Sequence, residues 1–339
     1  MLPDWIETID YHTGGEPFRI IADPPLPLPG ATVAERRIRA MVDPEVEMLR
    51  KTLCFEPRGH ADMYGCFVVP PDDDGADLGV LFWHKDGFST ACGHGTIALG
   101  VWAVETGMVQ APNEGRVDVT IDVPSGRVVA RVHREGGQTT AVTFVNVPSF
   151  VIAENLPVRT PRGEVLVTTA FGGAVYACVD VADLGLSVVP EHLDELIAIG
   201  RGIKWDLNES DAAKHPEDER LSGIYGTIVY EKLGTDESGR LHQRNVTIFA
   251  DGEVDRSPCG SGTSARVAAL FADGSLGEGQ TLRHTSIVGS EFLARVTETG
   301  TTAGYPSVVP AVTGTAYLTG KHSFRVDPRD NLVPGFVLR

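Results

Sequence analysis

Cysteine heads the same short phrase twice in this 339-residue chain, as CGHGTIA at Cys92–Ala98 and as CGSGTSA at Cys259–Ala265. The two cysteines stand 167 residues apart (259 minus 92). Each phrase leads into a run rich in Ala, Leu and Val, and each run stops at a glycine, Gly107 or Gly274, 15 residues past its cysteine (107 minus 92, 274 minus 259). Glycine just beyond an apolar run of that length is a helix stop signal. A thiol just ahead of a helix faces N–H groups with no partner inside the helix, and the helix dipole adds partial positive charge there. Both favour the thiolate and lower a cysteine pKa from its free value of about 8.5. The glycines let an anion approach the backbone N–H groups closely, and Thr96 and Thr263 can cap the opening turn. Each phrase reads as a reactive thiol beside an anion cradle.

Two such units could hold an amino acid by its carboxylate, with one sulfur on each face of the α-carbon. A thiolate would take the α-proton from one face and a thiol would deliver a proton to the other. That inverts the stereocentre without turning the substrate over. Helix-end N–H groups would stabilise charge developing on the carboxylate. Other readings stay open at this level. Cys92, His94 and Cys259 have the chemistry of metal ligands, although no Cys-x-x-Cys spacing or fourth ligand accompanies them. Cys92 and Cys259 could also pair as a disulfide, which would be an inactivated form. Cys54, Cys66 and Cys178 read as small buried hydrophobes.

The elements that must position these thiols are repeated too. GVLFWHKDGFSTAC (79–92) aligns with VTIFADGEVDRSPC (246–259), so that Leu81-Phe82 falls on Ile248-Phe249. Both stretches read as a short apolar strand followed by a polar loop that ends at the cysteine. Ala130-Arg131-Val132 echoes Ala294-Arg295-Val296 with a shift of 164. Alternating apolar stretches such as RVDVTIDVPSGRVVARV read as strands, and EHLDELIAIGRGIK as an amphipathic helix. The expected fold is α+β, with mostly antiparallel strands and one central helix per half. A formal charge of −17 argues against a nucleic-acid partner and against anionic membrane surfaces. No run of 18 apolar residues suggests a membrane span. The N-terminus lacks a basic n-region and an apolar h-region, and five cysteines without secretory context suit a cytoplasmic protein with free thiols.

Several stretches together, IDYHTGGEPFRI (9–20), FEPRGHADMYG (55–65), CGHGTIALG, FGGAVYA (171–177) and DRSPCGSGTSA, resemble the proline racemase superfamily. That group comprises proline racemases, hydroxyproline 2-epimerases and trans-3-hydroxy-L-proline dehydratases. The resemblance covers nearly the whole chain and extends at fold level to diaminopimelate epimerase. It implies two pseudo-symmetric halves, each a curved sheet around a central helix: 1–125 completed by a returning strand at 321–339, and 126–320. It also implies an enzyme with no cofactor and no metal, acting on a small molecule, commonly as a homodimer. Cys92 and Cys259 would be the paired acid–base residues. Gly93 and His94, and Gly260 and Ser261, would contact substrate, and Asp255 would bind the ring ammonium. Phe82 and Phe249 would line the ring, while Tyr64 and His60 would bring polar groups toward a hydroxylated one. Dehydratases of this group typically carry Thr in place of Cys259. The intact cysteine pair therefore favours a racemase or epimerase of proline or hydroxyproline, with the dehydratase as the alternative and a non-catalytic or metal-binding member as a third.

Overall fold

The computed structural model describes residues 2–338. The chain divides into two compact units, one running to Val142 and resuming at Thr315, the other Thr143–Gly314. The first begins with β1 (Trp5–Thr13) and β2 (Glu16–Ile21). In β1 the side chains of Ile6, Thr8 and Asp10 are buried while Trp5 and Glu7 are exposed, the two-residue alternation of a half-buried strand. Two helices follow, α1 (Val33–Ala40) capped by Thr32 and α2 (Pro44–Cys54) capped by Asp43. Next come β3 (Gly65–Val69), β4 (Leu78–His84) and the short β5 (Gly87–Phe88). The central helix α3 (Gly93–Glu105) leads to the hairpin of β6 (Gly115–Val123) and β7 (Gly126–Glu135). Strand β8 (Gln138–Val145) carries the chain into the second unit.

The second unit contains β9 (Ser149–Thr160), β10 (Gly163–Phe171), β11 (Val175–Asp180), α4 (Leu193–Leu207), β12 (Ile224–Thr235), β13 (Leu241–Phe249) and β14 (Glu253–Asp255). Its central helix α5 (Gly260–Ala272) is followed by β15 (Leu282–Ser286), β16 (Glu291–Thr302) and β17 (Tyr305–Gly314). Then β18 (Ala316–Arg325) returns to the first unit and pairs antiparallel with β1.

The two units share one internal design. Taken in the order β18, β1, β2, β3, β4, β6, β7, neighbouring strands pair antiparallel, antiparallel, parallel, antiparallel, parallel, antiparallel. The order β9, β10, β11, β12, β13, β15, β16 gives the same six relations. In the second unit β17 pairs with both β16 and β9, closing the strands into a ring. Strands at both margins of the first sheet, β18 and β1 as well as β6 and β7, touch α3, so that sheet curls around its helix; α5 likewise touches β9, β10, β11, β16 and β17. A helix wrapped on all sides has no solvent-facing stripe. Gly93–Val104 and Gly260–Leu270 are accordingly buried without a break. Residues 126–142 belong to the first unit because β7 forms a hairpin with β6 and packs on α3. No helix among the described residues is long and apolar enough to cross a membrane.

Candidate active site

In the first unit, Cys92 is the N-cap of α3 in extended backbone conformation (φ −156°), and its sulfur accepts the Gly95 N–H at 3.2 Å. A Cβ on Gly95 would lie 2.8 Å from Cys92 Sγ and would also strike the Phe18 ring, so the second glycine of the phrase is a steric requirement. The His94 ring sits with both nitrogens 3.5 Å from the sulfur. Thr13 Oγ1 donates to the His94 carbonyl at 2.9 Å and ties the first turn of α3 to β1. Tyr64 and Phe18 meet His94 edge-on, with centroids 4.9 and 5.7 Å away. The Tyr64 hydroxyl pairs with Ser89 Oγ. A buried sulfur at a helix start thus has a backbone donor and an imidazole beside it, and two aromatic rings pack on that imidazole.

In the second unit, Cys259 occupies the same place at the head of α5 but with φ +64°, a backbone conformation unusual for any residue with a side chain. A Cβ on Gly262 would lie 2.9 Å from its sulfur, repeating the Gly95 relation. The Gly262 N–H is near enough to lower the thiol pKa but makes no capping hydrogen bond. Burial and the neighbouring Asp255 together push the thiol well above its usual range. The same burial lifts the Asp255 carboxyl to about 6, against hydrogen bonds from Ser257 and the Cys259 thiol that favour its ionised form. Asp255 Oδ1 accepts the Ser257 N–H at 2.8 Å, and Ser257 Oγ accepts the Cys259 N–H at 3.0 Å, so the loop before the helix is bound together residue by residue. The Tyr176 hydroxyl lies 2.7 Å from Ser261 Oγ and 3.7 Å from Cys259 Sγ.

Within each unit the expected residues fall into place unevenly. Around Cys92 the fold gathers Gly93, His94 and Tyr64; Phe82 is buried on β4 behind Phe18, with ring centroids 6.1 Å apart. His60 does not join them. It is exposed on a turn, where its Nδ1 accepts the Asp62 N–H, because a four-residue separation from Tyr64 in a loop sets no common side-chain direction. Around Cys259 the fold gathers Asp255, Gly260 and Ser261, and Phe249 stacks on Tyr225 at 5.7 Å, which meets Tyr176 edge-on. Tyr176, Tyr225 and Phe18 were not foreseen. One signal for them was available: MYGCFVV (63–69) and IYGTIVY (224–230) repeat Tyr-Gly at the start of β3 and β12, 161 residues apart (225 minus 64).

Two repeats of a sheet curled around a helix, each helix opening on a buried cysteine, define the α+β fold of proline racemase structures. The chain belongs to the proline racemase family, whose model matches residues 8–337. It is 44% identical over 331 residues to a trans-3-hydroxy-L-proline dehydratase of Bacillus cereus, covering 98% of this chain and 97% of the relative. It is 43% identical over 335 residues to a 3-hydroxyproline 2-epimerase of Burkholderia multivorans, covering 98% of both. Among solved structures, a hydroxyproline epimerase from Agrobacterium vitis with bound trans-4-hydroxy-L-proline superposes with a TM-score of 0.90 at 31% identity, over 99% of this chain and 96% of that one. The protein is thus an enzyme of a family whose named members are both isomerases and lyases.

Proposed function

We propose that the protein inverts the α-carbon of a hydroxyproline, 3-hydroxyproline foremost, by proton transfer between two cysteines and without a cofactor. The observation that carries this reading is the second buried thiol. Cys259 is kept at the head of α5, beside an acidic residue and a tyrosine, where elimination would need no second thiol. Cys92, whose sulfur already accepts a backbone N–H, is the base for one face. Cys259, kept protonated by burial and by Asp255, supplies the proton to the other. The Cα–H bond breaks to Cys92, the electron pair delocalises onto the carboxylate, and the Cys259 S–H proton forms the new Cα–H bond. Backbone N–H groups of the Gly93 and Gly260 turns stabilise the carboxylate as charge builds, Asp255 neutralises the ring ammonium, and Tyr225 and Phe249 receive the ring.

A second reading is supported by the dehydratase relatives and by the paired hydroxyls of Tyr176 and Ser261. In it the same Cα–H bond breaks, the C3–O bond breaks, water leaves with a donated proton, and the resulting enamine tautomerises to a pyrroline carboxylate. Incubation in D2O with trans-3-hydroxy-L-proline, trans-4-hydroxy-L-proline and L-proline, followed by NMR and polarimetry, separates the two. The proposal expects a Cα-deuterated epimer. A pyrroline product from the 3-hydroxylated substrate replaces it with the second reading, and absence of exchange with all three overturns both.

A further inference from the structure

The strained backbone of Cys259 has a support that Cys92 lacks the need for. Asn245 on β13 and His284 on β15 lie on adjacent, parallel-paired strands beneath the start of α5, and both are fully buried. Their side chains close a ring of hydrogen bonds with Pro258, just before Cys259, and Thr263, one helical turn after it. Asn245 Nδ2 lies 2.9 Å from His284 Nε2 and donates to the Pro258 carbonyl at 3.1 Å. Thr263 Oγ1 donates to that same carbonyl at 3.0 Å and lies 2.8 Å from His284 Nδ1. The donors and acceptors admit one consistent arrangement. Thr263 spends its single proton on Pro258, so His284 Nδ1–H donates to Thr263 Oγ1, and His284 Nε2 accepts the second Asn245 N–H. The imidazole must therefore be neutral, and burial, with the Arg266 charge nearby, holds its pKa down at about 3. Pro258 immediately precedes Cys259, and the Thr263 N–H donates to the Cys259 carbonyl at 2.7 Å. The cysteine is thus gripped on both sides. In the first motif Cys92 has an ordinary extended φ, and the matching threonine, Thr96, donates to the Cys92 carbonyl instead.

We infer that His284 and Asn245 are positioning residues, which act through Thr263 and Pro258 to hold Cys259 in its left-handed backbone conformation and so aim its thiol. The inference rests on Cys259 being the second proton-transfer thiol. It concerns one motif of the repeat only, and so predicts a defect on one face of the substrate and not a general loss of structure.

The test uses the full-length protein with Thr263→Val, Thr263→Ser and His284→Leu, and Cys259→Ser as a control. Epimer formation and Cα deuteration of trans-3-hydroxy-L-proline are followed in D2O. Iodoacetamide alkylation of Cys92 and Cys259 is followed separately by mass spectrometry, which needs no turnover. Releasing a strained φ should cut epimer formation on the order of 10- to 100-fold in Thr263→Val and His284→Leu. Thr263→Ser, which keeps the hydroxyl, should restore it. The alkylation rate of Cys259 should change in the two damaging variants while that of Cys92 holds. Thr263→Val with wild-type epimer formation and unchanged Cys259 alkylation overturns the inference, as does an equal change at both thiols. Should Cys259→Ser itself keep inverting substrate, the two-thiol reading falls, and the alkylation split alone decides the positioning role.

Discussion

One methyl group at Gly95 tests whether the phrase Cys-Gly-x-Gly-Thr exists to make room for its own sulfur. The added Cβ would lie 2.8 Å from Cys92 Sγ and would also press on the Phe18 ring. Non-bonded contacts of this kind relax at about 3.5–4 Å, so the sulfur or the helix start must give by roughly 0.7–1.2 Å. Overpacking of that size costs about 1–3 kcal/mol, and replacing glycine by alanine within a helix returns up to about 1 kcal/mol, leaving a net loss of about 0–3 kcal/mol. Activity is far more sensitive, because a displacement near 1 Å of a reacting group costs on the order of 10²-fold. Gly262→Ala is the same perturbation in the second motif, with Cβ 2.9 Å from Cys259 Sγ and 3.2 Å from both Cys259 Cβ and Ile228 Cδ1. Each variant should melt within a few degrees of wild type and lose about 10²-fold in epimer formation under saturating substrate. Wild-type turnover in both variants would refute the steric argument, and with it the claim that these two sulfurs do the chemistry.

Other consequences concern the charged and polar groups near Cys259. Asp255 holds its proton more tightly in the folded protein (about 6) than in the unfolded chain (3.8), so its contribution to stability grows as pH falls through 6. Between pH 7 and pH 5 the wild type should therefore gain about 1 kcal/mol over Asp255→Asn in urea titrations; equal slopes would contradict the burial argument. Since the carboxylate is the form that pairs with a ring ammonium, kcat/KM should also rise with pH through about 6, and a flat profile would remove Asp255 from substrate binding. His284 has the opposite linkage, its pKa lowered from 6.5 to about 3, so it costs stability as pH drops below 6.5, about 2 kcal/mol at pH 5. His284→Leu should lessen that acid sensitivity, and an unchanged pH dependence would mean the imidazole is not held neutral. Tyr176→Phe removes a hydroxyl that lowers the Cys259 pKa, so the alkylation profile of Cys259 should move to higher pH; a downward move would refute the contact.

Much of this design is written in local pattern. The repeated phrase, the glycine stops after α3 and α5, and the alternation in β6 and β7 identify two units of α+β type because each signal spans only a few residues. Gly107 and Gly274 do adopt left-handed φ of 76° and 78° just past their helices. What local pattern cannot supply is the set of partners that meet only through the sheet. Tyr176 reaches Ser261 across 85 residues of chain, and Asn245 reaches His284 across 39. His284 offers no motif at all, since its meaning depends on parallel pairing of β13 with β15. Where one unit stops is likewise not written in the repeat. Ala130-Arg131-Val132 resembles Ala294-Arg295-Val296 because β7 and β16 occupy the same slot in their own sheets, and likeness between slots says nothing about where one unit stops.

Duplication alone would give two equivalent thiols, yet the proton relay proposed here would start with one sulfur charged and the other not. The divergence between the motifs supplies that difference. Cys92 keeps ordinary φ, a full hydrogen bond from Gly95 and an imidazole alongside, all of which suit a sulfur that is to carry negative charge. Cys259 lacks the capping bond, lies beside a buried carboxylate, and holds a backbone conformation that Asn245, His284 and Thr263 are placed to sustain. An energetic penalty of about 1–3 kcal/mol for such a conformation persists only where the surroundings enforce it. If the relay operates as proposed, exchanging the environment of the second motif for that of the first should equalise the two thiols and erase the preference for which face is deprotonated first.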